Sequence, residues 1–266
     1  IKEIAQLLRI VFPESNKYSD AFIEWQYKQN PDGEVVGYNA YENGEIVAHY
    51  ALIPLKTKLF GNEEKGLLSL NTATHPNHRG KKLFTSLAEL TYKLATEMEY
   101  SFVIGVANAN STSGFVNKLD FQLLGPLNAK LGIGKIVHSK KIEAIQFEKL
   151  WTKESIQWQL SNPSTKYKIQ SNLIYSATDK IGVEAVLLNT SKMLNLPDNH
   201  INIGFRPIKL WIGIDLSINW KDSFYFDIPT KLRPSPLNFI FKDLSLANRT
   251  LDVSKVRFNA FDFDAY

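Results

Sequence analysis

The sequence of 266 residues contains no cysteine and two methionines. Without cysteine there are no disulfides, no thiolate metal sites and no cysteine nucleophile, so a covalent thioester relay through the protein is excluded. No stretch is apolar for long enough to span a bilayer, and the amphipathic residues 1–11 are interrupted by Lys2, Glu3 and Arg9, which does not suit an export signal. A cytoplasmic setting is therefore expected, and the Asn-x-Ser/Thr triplets at Asn110, Asn189 and Asn248 carry no weight. There is no Gly-x-Ser-x-Gly elbow and no histidine pair at helical metal-binding spacing, which removes the main hydrolase readings and any need for a metal. Gly132-Ile133-Gly134-Lys135 fails as a phosphate loop, because Ala129 replaces the leading glycine and Ile136 the metal-binding Ser/Thr. The charge excess is small, at +4 with a pI near 9.0. Its lysines are scattered, which argues against a nucleic-acid partner and suits either a phosphate-bearing small ligand or an ordinary solvated surface.

What is present is a globular pattern with 44% apolar residues. Residues 1–12 place Ile4, Leu7, Leu8 and Val11 at helical spacing and stop at Pro13. A second helix is expected from an Asp20 N-cap to the Pro31-Asp32-Gly33 turn. Strands follow at 35–41 and 46–60 around the hairpin turn Asn43-Gly44, and a third at 67–74 after a turn over 61–66. Leu83, Leu87, Leu90, Leu94 and Met98 then predict one apolar face of a helix of about four turns. A strand at 102–106, a helix at 111–118 and a strand at 121–124 complete this half.

From Lys135 onward the pattern turns strand-rich, with strands expected at 169–177, 183–188, 208–214 and 237–241. One similarity links the halves: Ile23, Trp25, Gln26, Asn30 and Pro31 recur in order as Ile156, Trp158, Gln159, Asn162 and Pro163, with a one-residue gap. The same pattern also arises from two unrelated helix ends punctuated by proline. The expected division is residues 1–134 and 135–266.

The chemistry-bearing segment runs from Asn71 through Thr74-His75-Pro76 and Arg79-Gly80-Lys81-Lys82-Leu83-Phe84, from a strand through a turn into the long helix. Backbone N–H groups at such a helix start have no intrachain acceptor, and the helix dipole adds partial positive charge, so the loop is suited to a phosphate. Gly80 permits close approach or unusual dihedrals, and Arg79, Lys81 and Lys82 add charge.

These residues and the element order resemble the GNAT superfamily of acyl-CoA N-acyltransferases. That resemblance implies an α/β (α+β) fold: a GNAT-like mixed central sheet with flanking helices, followed by a second, degenerate GNAT-like half. It implies acyl-CoA as co-substrate, held by the backbone near Leu70, Asn71, Thr72, Ala73 and Thr74, by Arg79, Gly80, Lys81, Lys82, Leu83 and Phe84, and by Asn110. Two departures stand out. Lys82 and Phe84 occupy the family's glycine positions, and Val116 replaces the tyrosine that often protonates the leaving thiolate in Ser113-Gly114-Phe115-Val116-Asn117-Lys118-Leu119-Asp120-Phe121.

Catalytic candidates near the strand are His49, Asn71 and His75; His49 is equally readable as a satisfied core histidine, and His75 as a cap of its turn. The segments 22–31 and 231–239 resemble tandem GNAT proteins that acylate nucleotide-linked (dTDP- or UDP-) amino sugars for surface polysaccharides. This implies substrate contacts from Trp25, Tyr27, Tyr50, Arg206, Trp211 and Arg233, although aromatics at alternating strand positions such as Trp211, Trp220 and Tyr225 are usually core. The alternatives are a non-catalytic acyl-CoA or nucleotide-binding module, or an acyltransferase acting on another small amine. The sequence leaves room for a homodimer and does not reveal the acyl group or the sugar.

Overall fold

A computed structural model describes residues 1–136, 144–170, 173–177, 184–189 and 206–263. The first half runs α1 (Lys2–Val11), α2 (Asp20–Lys28), β1 (Val36–Glu42), β2 (Glu45–Leu59), β3 (Asn62–Thr74), α3 (Leu83–Glu97), β4 (Phe102–Ala107), α4 (Ala109–Leu119), β5 (Gln122–Pro126) and β6 (Asn128–Ile133). The second half comprises β7 (Phe147–Lys149), α5 (Lys153–Leu160), β8 (Tyr167–Gln170), β9 (Leu173–Ala177), β10 (Glu184–Asn189), β11 (Ile208–Ile214), β12 (Phe224–Asp227), β13 (Asn238–Asp243) and β14 (Val256–Asn259). The expected order of helix, helix, three strands, helix, strand, helix and strand is observed. The fold is a mixed α/β one, a large curled mixed sheet with flanking helices.

Local chemistry explains most boundaries, and sheet pairing the rest. Asn43 and Gly44 both take positive φ, the left-handed pair that a tight hairpin requires. The cap of α2 is Ser19, whose hydroxyl accepts from Phe22 N at 3.1 Å, so Asp20 is the first helical residue and not the cap. The turn after β2 is only Phe60-Gly61, and β3 starts at Asn62, not at 67. Residues 62–66 are polar but continue the ladder opposite 55–59, so pairing overrides their weak strand pattern.

The buried face of α3 is Leu87, Ala88, Thr91, Tyr92 and Ala95, while Leu90 and Met98 are about half exposed. Small residues at 88, 91 and 95 let the helix approach the sheet closely, which turns the larger side chains at 90 and 98 outward. In the second half the expected strand 169–177 is the antiparallel pair β8 and β9, with 171 and 172 outside the described residues, as is Val183.

The two halves repeat one pattern of pairing. β1–β2 and β2–β3 are antiparallel and β3–β4 parallel; β8–β9 and β9–β10 are antiparallel and β10–β11 parallel. Each half also receives a strand from the other: β13 lies between β4 and β5, and β6 between β11 and β12. At the junction β7 pairs with β2 and β14, and β14 continues to β11, so the sheet is continuous.

The internal similarity read in the sequence has a physical counterpart. Trp25 and Trp158 stack at 4.7 Å, each indole N–H donating to the other's backbone carbonyl at 2.9 and 3.1 Å. Asn30 and Asn162 close matching turns by accepting from the amide two residues on, Asp32 N and Ser164 N.

Candidate functional site

The parallel ladder between β3 and β4 lasts for Leu67–Val103, Leu68–Ile104 and Ser69–Gly105, and then the strands part. Beyond it a bulge sets Asn71 and Thr72 opposite Tyr50, with Asn71 at φ 55, a left-handed conformation asparagine tolerates. Residues 70–74, including Leu70, Ala73 and Thr74, thus keep an edge that no described strand pairs. Thr72 Oγ1 is buried without a hydrogen-bond partner. A strand edge with free backbone donors and acceptors fits an amide-bearing ligand arm such as pantetheine.

The corresponding cleft in the second half is closed. Where β10 and β11 part after Val186–Trp211, β14 pairs with β11 at Gly213–Asn259 and Ile214–Phe258.

The loop after β3 begins with a 3₁₀ turn, Pro76–His78, which His75 caps by accepting from Asn77 N at 3.3 Å. Gly80 takes φ 82, and Lys82 takes φ 59 as the N-cap of α3 without capping it through its side chain. The first bond into the helix is Ser86 N to Lys82 O, so the N–H groups of Leu83, Phe84 and Thr85 are at the open helix end. Lys82, where the resemblance implies a glycine, thus takes a left-handed conformation that glycine adopts without strain. Phe84 points into the fold instead, against Tyr50, Phe115 and Gly114.

The loop's charges are not equivalent. Lys81 reaches Glu42 at 3.0 Å, and His78 lies 3.3 Å from the same carboxylate, which holds Glu42 below the usual carboxylate range. Arg79 and Lys82 are exposed and have no ion-pair partner among the described residues. Asn110 lies in the first turn of α4, where its amide donates to the cap Asn108.

Three predicted residues meet in one buried network. Asn39 Oδ1 lies 2.6 Å from His49 Nδ1; that acceptor fixes the Nδ1–H tautomer, so Nε2 accepts from the Tyr27 hydroxyl at 2.7 Å. Tyr27 in turn accepts from Asn71 Nδ2 at 3.2 Å, and Asn71 Nδ2 also donates to Gln26 Oε1 at 2.5 Å. Burial depresses the His49 pKa to about 4 and raises that of Tyr27, so both are neutral at pH 7. Sequence reading missed Asn39 and Gln26; the Gln26–Gln159 repeat was the available signal.

The remaining candidates have other surroundings. Tyr50 lies on the opposite face of β2, its hydroxyl 2.5 Å from that of Tyr92, and burial pushes its pKa up to about 12. Trp25 is buried at the junction of the halves. Trp211 packs with Tyr175, Ile218 and Trp220 in a separate cluster. Arg233 donates to the carbonyls of Ile228 and Leu127, pinning a loop. Arg206 is half-buried at the start of the segment leading to β11. Among the described residues no group of three or more His, Asp or Glu could hold a metal, and no helix is long and apolar enough to cross a membrane.

Comparison with known proteins agrees with the fold. Residues 1–124 match the family described as acetyltransferase (GNAT) domain. A probable N-acyltransferase from Enterococcus faecalis V583 superposes with a TM-score of 0.59 at 10% identity, over 93% of this chain and 71% of that one. A GCN5-related N-acetyltransferase from Anabaena variabilis ATCC 29413 gives 0.59 at 11% identity over 93% and 71%. Eis1 from Mycobacterium abscessus gives 0.59 at 8% identity over 92% and 71%. At these identities the likeness is one of fold, and that fold is GNAT-like. No curated protein sequence matches the chain.

Proposed function

We propose that the chain transfers an acyl group from acyl-CoA to the amino group of a nucleotide-linked (dTDP- or UDP-) amino sugar, for surface polysaccharide synthesis in the cytoplasm. The observation that carries this reading is residues 70–84: an unpaired bulged strand edge leading through left-handed Gly80 and Lys82 to an open helix end. The match of residues 1–124 to an acetyltransferase domain and the names of the structural neighbours support it.

In this reading the backbone of residues 70–74 holds the pantetheine arm and polarises the thioester carbonyl. The amides at Gly80, Lys81, Lys82, Leu83 and Phe84 receive the pyrophosphate, with charge from Arg79 and Lys82, while Lys81 is partly neutralised by Glu42. A neutral amine attacks in a ternary complex, so positioning and oxyanion stabilisation supply much of the rate. The thiol has a solution pKa of about 8.5 and leaves as thiolate without a dedicated acid, consistent with Val116 in the tyrosine position. His49, with both ring nitrogens engaged, serves as a positioning residue that fixes Tyr27 and through it Asn71 in the bulge.

Residues 1–134 form the donor half and 135–266 a degenerate copy that helps to shape the acceptor pocket. With β14 occupying the second cleft, one donor site per chain is expected. The test is thiol release from a panel of acyl-CoAs on adding dTDP- and UDP-amino sugars. Release supports the assignment; acyl-CoA binding without release across the panel supports a non-catalytic binding module instead.

A further inference from the structure

A cavity of about 20 Å³ lies where the halves meet. Ile53, Leu55, Leu68 and Leu70 form its apolar wall on β2 and β3, and its polar groups are Gln26, Gln159, Lys149 and Asp262. This volume holds about one water-sized group, which is the size of an amino nitrogen. Leu70 belongs to the unpaired edge of β3, so the cavity adjoins the donor cleft on the side of α2 and α5.

Two features of its polar lining stand out. Gln26 is buried, its Oε1 takes the Asn71 amide, and its Nε2 donates to no described residue. Asp262 is a buried carboxylate carried in by β14 and the turn after it, each oxygen accepting one hydrogen bond: Oδ1 from Trp151 Nε1 at 3.0 Å and Oδ2 from Asn259 N at 2.7 Å. Both oxygens retain lone pairs for a further donor.

We propose that the acceptor's amino group enters this cavity and that Asp262 takes its proton, an inference that rests on the acyl-transfer reading above. The ammonium gives one proton to the carboxylate. The freed lone pair forms the C–N bond to the thioester carbon, and the C–S bond breaks with its electron pair on sulfur. The second nitrogen proton passes through solvent to the thiolate, and Asp262 returns its own to water. Burial, the largest influence, raises the Asp262 pKa to about 6; of the charged groups facing it from β7, Lys149 lowers it and Glu148 raises it, while Gln26 and Gln159 are neutral. A base of that strength is ionised at neutral pH and suited to an amine on a sugar ring.

The experiment measures kcat/KM against pH with acetyl-CoA and the panel's fastest amine, in the wild type, Asp262→Asn and Asp262→Ala. The expected wild-type profile falls below about pH 6. General-base catalysis contributes roughly 100-fold or more, so Asp262→Asn should lose at least that and its acid limb, with acetyl-CoA affinity unchanged. Added formate should restore activity to Asp262→Ala. A wild-type profile without the limb, or a limb retained in Asp262→Asn, overturns the proposal while acyl transfer stands, and this holds even if a variant fails to fold. No thiol release by the wild type with any amine overturns both.

Discussion

Acidification sets His49 and Asp262 against each other, and the opposition can be measured. The buried imidazole titrates at about 4, below its ordinary 6.5. As pH falls, the unfolded chain therefore takes a proton that the folded chain refuses, and stability is lost. The buried carboxylate titrates at about 6, above its ordinary 3.8, so the folded chain takes the proton first and stability is gained. At about 1.36 kcal/mol per pH unit, going from pH 7 to 5 costs about 2 kcal/mol through His49 and returns about 1.4 kcal/mol through Asp262. Urea denaturation of the wild type should show the small net of the two. His49→Gln retains groups that can bond Tyr27 and Asn39 and should gain about 1.4 kcal/mol over the same interval, whereas Asp262→Asn should lose about 2 kcal/mol. Surface carboxylates titrate alike in all three proteins and cancel in the comparison. Parallel stability curves for the three would refute the assigned burial of both groups.

Lys82→Gly places glycine where φ is already left-handed and should raise stability by about 1 kcal/mol, read by urea denaturation, while removing one exposed charge from the loop. Trp25→Ala removes the stack on Trp158 and the hydrogen bonds of its indole, and should cost about 3–5 kcal/mol in the same assay. Arg249→Leu leaves the Glu64 and Asp243 carboxylates, bonded at 2.7 and 2.8 Å, without their shared cation; about 3 kcal/mol of lost stability is expected, most of it at neutral pH where both are ionised.

The parts of the fold that were legible in the sequence are those fixed by neighbours in the chain. Asn43-Gly44 announces its hairpin because few other residues accept two left-handed positions, and the loop at Gly80 announces an open helix end for the same local reason. The recurring Trp-Gln and Asn-Pro segments were legible as a similarity, and in the fold Trp25 and Trp158 stack on each other. The exchange of β6 and β13 between halves depends on pairing partners 75 to 141 residues away in the chain, which no periodicity encodes. The start of β3 was hidden because Asn62, Glu63, Glu64 and Lys65 lack apolar alternation and are strand only through β2. Asp262 reads in sequence as one acidic residue in an aromatic stretch, and only the meeting of β14 with α2 and α5 gives it a cavity.

Calorimetric titration of acetyl-CoA into the wild type and Gly80→Pro tests the donor site most directly. Proline cannot adopt φ 82, and position 80 is open to solvent with no neighbour within 4 Å of an added Cβ, so the change should alter the loop and spare the fold. The account predicts one acetyl-CoA per wild-type chain and none for Gly80→Pro at unchanged far-UV circular dichroism. Equal affinity in the two proteins would contradict it.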